Sequence, residues 1–167
     1  MVNITSKSNT PAELEIVEAV KSLYEKYDIP TYTQNIVVES KAVPHAYPIL
    51  TLNTRVKDPL LLLQTVTHEQ LHWWATAHPR YSDCIEYLKI KYLDDGEHNK
   101  SGTYPDSYWE HIIVCFNTRL CLERMLSQED VSWIYERWQA YPTLEKEVVS
   151  KRQEIRDNLE KFGLLLS

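Results

Sequence analysis

The chain has 167 residues, of which 43% are hydrophobic and 25% charged, a balance that suits one globular domain with a real core and excludes a disordered chain. A formal net charge of −6 and the lack of any Lys/Arg run exclude a general attraction to nucleic acid or an anionic membrane. No apolar stretch approaches the roughly 20 residues of a membrane span, residues 1–10 are too polar for a signal peptide, and Cys84, Cys115 and Cys121 form no CxxC pair, so buried free thiols in a reducing, cytoplasmic setting are expected.

Residues 11–27 predict a first helix, with Leu14, Val17, Val20 and Leu23 along one stripe. Asp28-Ile29-Pro30 ends it, because a residue before proline is pushed out of the helical region. Two strand-like runs follow, over 35–40 and 47–53, and Pro44 and Pro48 mark the second as an edge strand. Asp58 and Pro59 combine an N-cap with a first-position proline and open a helix over 58–77, before Pro79. Its two apolar rows, one through Leu63 and Leu71 and one through Leu62 and Val66, predict a central helix buried on several sides.

A helix over 82–92 and a polar loop over 93–105 come next. Ser107 and Glu110 then form a capping-box pattern at the start of a helix over 107–126. Val131, Ile134, Tyr135 and Trp138 mark a helix over 129–140, and Val148, Ile155, Leu159 and Phe162 a last one over 144–162. No internal repeat interrupts this order. The expectation is a single α+β domain over 1–167, mainly helical, with a small N-terminal β-sheet at about 35–53.

The informative segment is Thr65-Val66-Thr67-His68-Glu69-Gln70-Leu71-His72-Trp73-Trp74. Four helical residues advance roughly 400°, so His68 and His72 stack on one face a turn apart. Two neutral imidazoles so placed can reach one Zn²⁺ at about 2.0–2.1 Å. Glu69 sits about 100° around from His68, beside the metal, where it can act as general base on a water that the metal acidifies. Without a metal, an ionisable Glu in so apolar a helix would be costly.

With these residues the chain resembles the zincin metallopeptidases, in which an HExxH helix carries two zinc ligands and the general base. Thr65 and Trp74 fit the flanking positions, and a strand followed by the active helix is also zincin-like. The resemblance implies a small zinc-dependent peptidase acting on a peptide or protein. It also implies that residues 47–53 line the cleft as an edge strand pairing with extended substrate.

Three residues are candidates for the third ligand. His78 would complete a pattern that resembles the metzincin motif, with Ala75 in place of its glycine. Ala75 resists the sharp left-handed turn, and in a continuing helix His78 would lie about 15 Å along the axis from His68. His111 and Glu110 lie on the next long helix, the arrangement of gluzincins, although those use Glu. Glu110 has a competing role as capping partner of Ser107, so His111 is favoured, then His78, then Glu110.

Three protein ligands leave a fourth position open, as a catalytic zinc requires. Tyr104 and Tyr108 are candidate oxyanion donors. His45 and His98 read as solvated loop residues, and Asp94-Asp95-Gly96-Glu97 as a turn lacking EF-hand spacing. The alternative reading is a non-catalytic, zinc-stabilised binding module whose last helix docks a partner. A third is a helical interaction protein in which the motif is accidental.

Overall fold

The computed structural model describes residues 2–93, 106–138 and 142–166. Most of the expected 93–105 loop, with His98, Tyr104 and Asp94-Asp95-Gly96-Glu97, lies outside the described residues, as does the end of the helix expected over 129–140. Among those described, the order is β1 (Asn3–Ser6), α1 (Pro11–Lys26), β2 (Asn35–Val38), β3 (Leu50–Leu52), α2 (Pro59–Ala77), α3 (Tyr81–Leu93), α4 (Asp106–Met125), α5 (Gln128–Arg137), α6 (Pro142–Ser150) and α7 (Arg152–Phe162). The architecture is α+β and mainly helical, as expected from the sequence.

The sheet is parallel throughout, in the order β1-β2-β3, with Ile4 opposite Ile36 and Ile36 opposite Leu50. Strand β1 was not expected, and α1 makes the crossover that a parallel β1–β2 pair needs. Thr10 caps α1 in a capping box with Glu13. The buried Glu13 carboxylate also accepts from Ser6 Oγ at 2.8 Å, Ser8 N at 2.9 Å, and the N and Oγ of Ser40, both at 3.0 Å. One side chain thereby joins the ends of β1 and β2 to the start of α1.

Strand β3 is narrower than the run expected over 47–53, and its outer edge is occupied. Thr51 N donates to His45 O at 2.8 Å and His45 N donates to Thr51 O at 3.1 Å, an isolated antiparallel bridge. The expectation of an open edge pairing with substrate is therefore corrected at Thr51: the chain has folded back over that edge.

Asp58 caps α2 by accepting from Leu60 N at 2.9 Å and Leu61 N at 3.1 Å, with Pro59 in the first turn. The helix is buried on several sides. Leu62, Leu63 and Val66 pack with the sheet, α1 and α5, whereas Leu71 and Ala75 pack with α3, α4, α6 and α7. Each fully buried Leu or Val there contributes about 1.5–3 kcal/mol. Between the two apolar sets lies a buried polar run, Thr67 to Gln70.

Gln70 fixes the orientation of α2. Its Nε2 donates to Tyr24 Oη at 2.9 Å and Thr33 O at 3.0 Å, and its Oε1 accepts from Tyr32 N at 2.8 Å and Thr33 N at 2.9 Å. Those bonds tie α2 to α1 and to the segment entering β2, on the side of the helix opposite the site face.

The last helix expected over 144–162 is two helices, α6 and α7, separated at Lys151. Its apolar stripe, Leu144, Val148, Ile155, Leu159 and Phe162, is buried in the core together with Leu164, so it is not a partner-facing surface. Asn117 of α4 holds the tail: its Nδ2 donates to Leu164 O at 3.0 Å and its Oδ1 accepts from Leu166 N at 2.9 Å. Among the described residues, no helix is long and apolar enough to cross a membrane.

Candidate metal centre

Helices α2 and α4 lie against each other and bring His68, His72 and His111 together. One ring nitrogen from each lies within 4.8 Å of the others. His68 Nε2 and His72 Nε2 stand 3.3 Å apart. Two nitrogens each about 2.0–2.1 Å from a tetrahedral zinc would be separated by about 3.3 Å. His68 is 4% and His72 8% exposed, while His111 is half-buried.

The hydrogen bonds behind the rings assign their tautomers. His72 Nδ1 lies 2.7 Å from Glu110 Oε1. Burial pushes the Glu110 carboxyl up, but the hydrogen bonds from His72 and Tyr81 are among the causes that outweigh it and hold the group below its usual range. An ionised carboxylate can only accept, so His72 Nδ1 carries the proton and Nε2 keeps its lone pair. Thr118 Oγ1 donates to Val114 O at 2.8 Å, which uses its one proton, and so meets His68 Nδ1, 3.5 Å away, as an acceptor. His68 Nε2 then also presents a lone pair.

Two lone pairs facing each other in a buried site repel unless a cation sits between them. A shared proton is the other way to relieve them. Burial, with His72 and His111 alongside, holds His68 well below the usual imidazole range and disfavours it. The donor set of neutral imidazoles backed by a carboxylate fits a divalent metal such as zinc, and a carboxylate behind a ligating His fixes its tautomer and raises its basicity.

Glu69 is 7% exposed, and its carboxyl makes no hydrogen bond among the described residues. Burial raises its carboxyl to about 7 against the pull of His72 and His45. It stands between two cavities. One, of about 280 Å³, is lined by His45, Tyr47, His72, Glu110 and His111 as well as Glu69. The other, of about 380 Å³, reaches His68 and Glu69 from the side of Trp138.

The remaining sequence candidates fall elsewhere. Helix α2 runs straight through Ala75, and His78 is its C-cap, with Nδ1 accepting from Arg80 N at 3.2 Å. It is not among the clustered histidines. Glu110 reaches His72 rather than the shared nitrogen cluster, and the side chain of Ser107, its expected capping partner, is outside those described. Tyr108 Oη donates to Glu147 Oε2 at 2.6 Å, so this expected oxyanion donor is held on α6. None of the three buried cysteines is in a disulfide, and burial pushes the Cys84 thiol up to about 12 and the Cys121 thiol to about 11, which disfavours the thiolate of either.

Two residues at the site carry no signal that marks them in the sequence. His45, expected to be a solvated loop residue, borders the cavity beside Glu69 because its backbone bridges Thr51. Tyr47 borders the same cavity, donates to His72 O at 2.7 Å, contacts Thr76 Oγ1, and packs against Trp73 with ring centroids 4.8 Å apart. The only hint was Pro44 and Pro48, which bracket them and favour an extended run. No family model, curated protein or solved structure matches the chain.

Proposed function

We propose that this chain is a zinc-dependent peptidase of zincin type, with His68, His72 and His111 as metal ligands and Glu69 as general base. The observation that carries the reading is the 3.3 Å separation of the His68 and His72 Nε2 atoms, with both Nδ1 positions already committed to Thr118 and Glu110. His111, the least buried of the three, would complete the set. A bound zinc would polarise the scissile carbonyl and acidify water. Glu69 takes the proton from the attacking water and passes it to the leaving amine, in a setting where burial keeps its basicity near neutral. Glu110 keeps His72 in the ligating tautomer.

The test is Glu69→Gln assayed on a mixture of peptides and denatured protein, with zinc measured on the same sample. Hydrolysis should fall by about 10²–10⁴-fold while zinc stoichiometry stays unchanged. Undiminished cleavage would remove Glu69 from the chemistry. One observation favours the non-catalytic zinc module instead: the outer edge of β3 is closed by His45. On that reading the wild-type protein binds zinc and cleaves nothing in the mixture.

A further inference from the structure

The cavity of about 380 Å³ on the Trp138 side of Glu69 has a composition that the catalytic reading does not use. Val56, Leu61 and Trp138 supply apolar walls, while Arg55 and Arg137 also line it. Both arginines are exposed residues of the lining. Arg55 makes no ion pair among the described residues; its backbone N donates to Asn53 Oδ1 at 2.9 Å. Arg137 lies over the Trp133 ring at 4.3 Å and, among the described residues, meets only the exposed Glu136, at 3.5 Å, as an acid. Among the described residues, Glu69 is the one acid in the lining. In a chain of net charge −6, two cations lining one apolar cavity run against the overall balance.

A second, independent observation lies deeper. Gln64 is fully buried on α2 and lines the same cavity, and its Nε2 has no hydrogen-bond partner among the described residues. A buried amide donor left unpaired is costly, and an acceptor brought in by a ligand would remove the penalty. Arginine in turn suits a planar carboxylate, which it can meet with two parallel N–H donors. Two guanidiniums, apolar walls and an orphaned donor match a residue with an aliphatic stem, a carboxylate and a carbonyl.

We infer that this cavity is a specificity subsite for a carboxylate-bearing residue of the substrate, held by Arg55 and Arg137 with Gln64 donating from within. The carboxylate is either the substrate's free C-terminus or an acidic side chain, since both present the same group. The inference rests on the peptidase reading of the adjoining centre.

Binding to zinc-loaded Glu69→Gln protein tests it without turnover. Two pairs of short peptides are titrated by calorimetry: one pair differs by a free or amidated C-terminus, the other, amidated throughout, by Glu or Gln at one position. In one pair the acid should bind about ten-fold or more tightly than its neutral partner, and the pair that responds identifies the source of the carboxylate. Arg55→Ala and Arg137→Ala should each shrink that ratio, and the double variant should bring it close to one. Both arginines are exposed, so the variants retain the fold. Equal affinities within both pairs, a ratio that survives the double variant, or no binding of any peptide at millimolar concentration would overturn the inference. Wild-type hydrolysis of the tightest binder separates the two readings. A binding preference without cleavage removes the peptidase and leaves the subsite, whereas cleavage without preference does the reverse.

Discussion

At the scale of single residues, the centre turns on which nitrogen of each histidine faces the cluster. Glu110 decides this for His72, so its removal should act on zinc through His72 rather than through a lost ligand. Glu110→Ala is expected to weaken zinc binding by about 10–100-fold, and Glu110→Gln, which keeps an acceptor oxygen but not the charge, by less. Competition against a chelator of known affinity reads both. Unchanged affinity in Glu110→Ala would show that His72 is oriented by something else. A loss larger than that of His111→Ala would make Glu110 the third ligand. In the sequence, the HExxH spacing made His68, Glu69 and His72 legible because helical geometry alone stacks them. The Glu110–His72 bond was not legible, since Ser107 and Glu110 have a plausible local capping role and nothing in the spacing says which partner prevails. His45 was hidden for a related reason: its place beside Glu69 follows from a backbone bridge to Thr51, and loop residues have no periodicity to read.

At the scale of elements, strong local signals marked the helices, and long-range pairing decided what they missed. Asp58-Pro59 and the apolar rows of α2 were readable because capping and periodicity are local. Strand β1 was not, since of Asn3–Ser6 only Ile4 is buried and a single apolar residue makes no pattern. The division of the last helix at Lys151 escaped because Val148 and Ile155 keep helical spacing across it. Glu13 shows how β1 is held once formed, and its hydrogen bonds have a pH signature. The backbone N–H of Ser40 and the hydroxyl of Ser6 lead in lowering its carboxyl from 4.5 to about 2, against burial. A depressed acid stabilises the fold above its unfolded value and loses that contribution as pH falls through the folded one. Glu13→Gln should therefore be less stable than wild type at neutral pH, by a gap that is constant above about pH 5 and closes towards pH 2. Urea midpoints of both proteins across that range measure the gap directly. A gap still fully present at pH 2 would mean that Glu13 acts by shape rather than by charge.

At the scale of the whole molecule, α2 spans two apolar clusters, and its buried polar run lies where they meet. In the metal-free protein that junction sets the His68 and His72 Nε2 atoms 3.3 Å apart beside the buried Glu69 carboxyl. A metal bridging α2 and α4 would tie together helices that α3 and the residues after it separate in sequence, so zinc binding should appear as global stability. At free zinc 100 times its Kd the linkage contributes about 2.7 kcal/mol, or roughly 5–10 °C in Tm for a chain of this size. The expectation is a rise of that order when the chelator-stripped protein receives zinc, growing with the logarithm of free zinc. Magnesium should give none, because it selects oxygen ligands and the cluster offers imidazole. His111→Ala should lose most of the rise while its metal-free Tm stays near wild type, since the ring is half-buried and its deletion opens no deep cavity. Differential scanning calorimetry distinguishes the outcomes. If His111→Ala retained the full zinc-dependent shift, the metal would be held by α2 without α4, and the cross-helix centre would be wrong even with zinc bound.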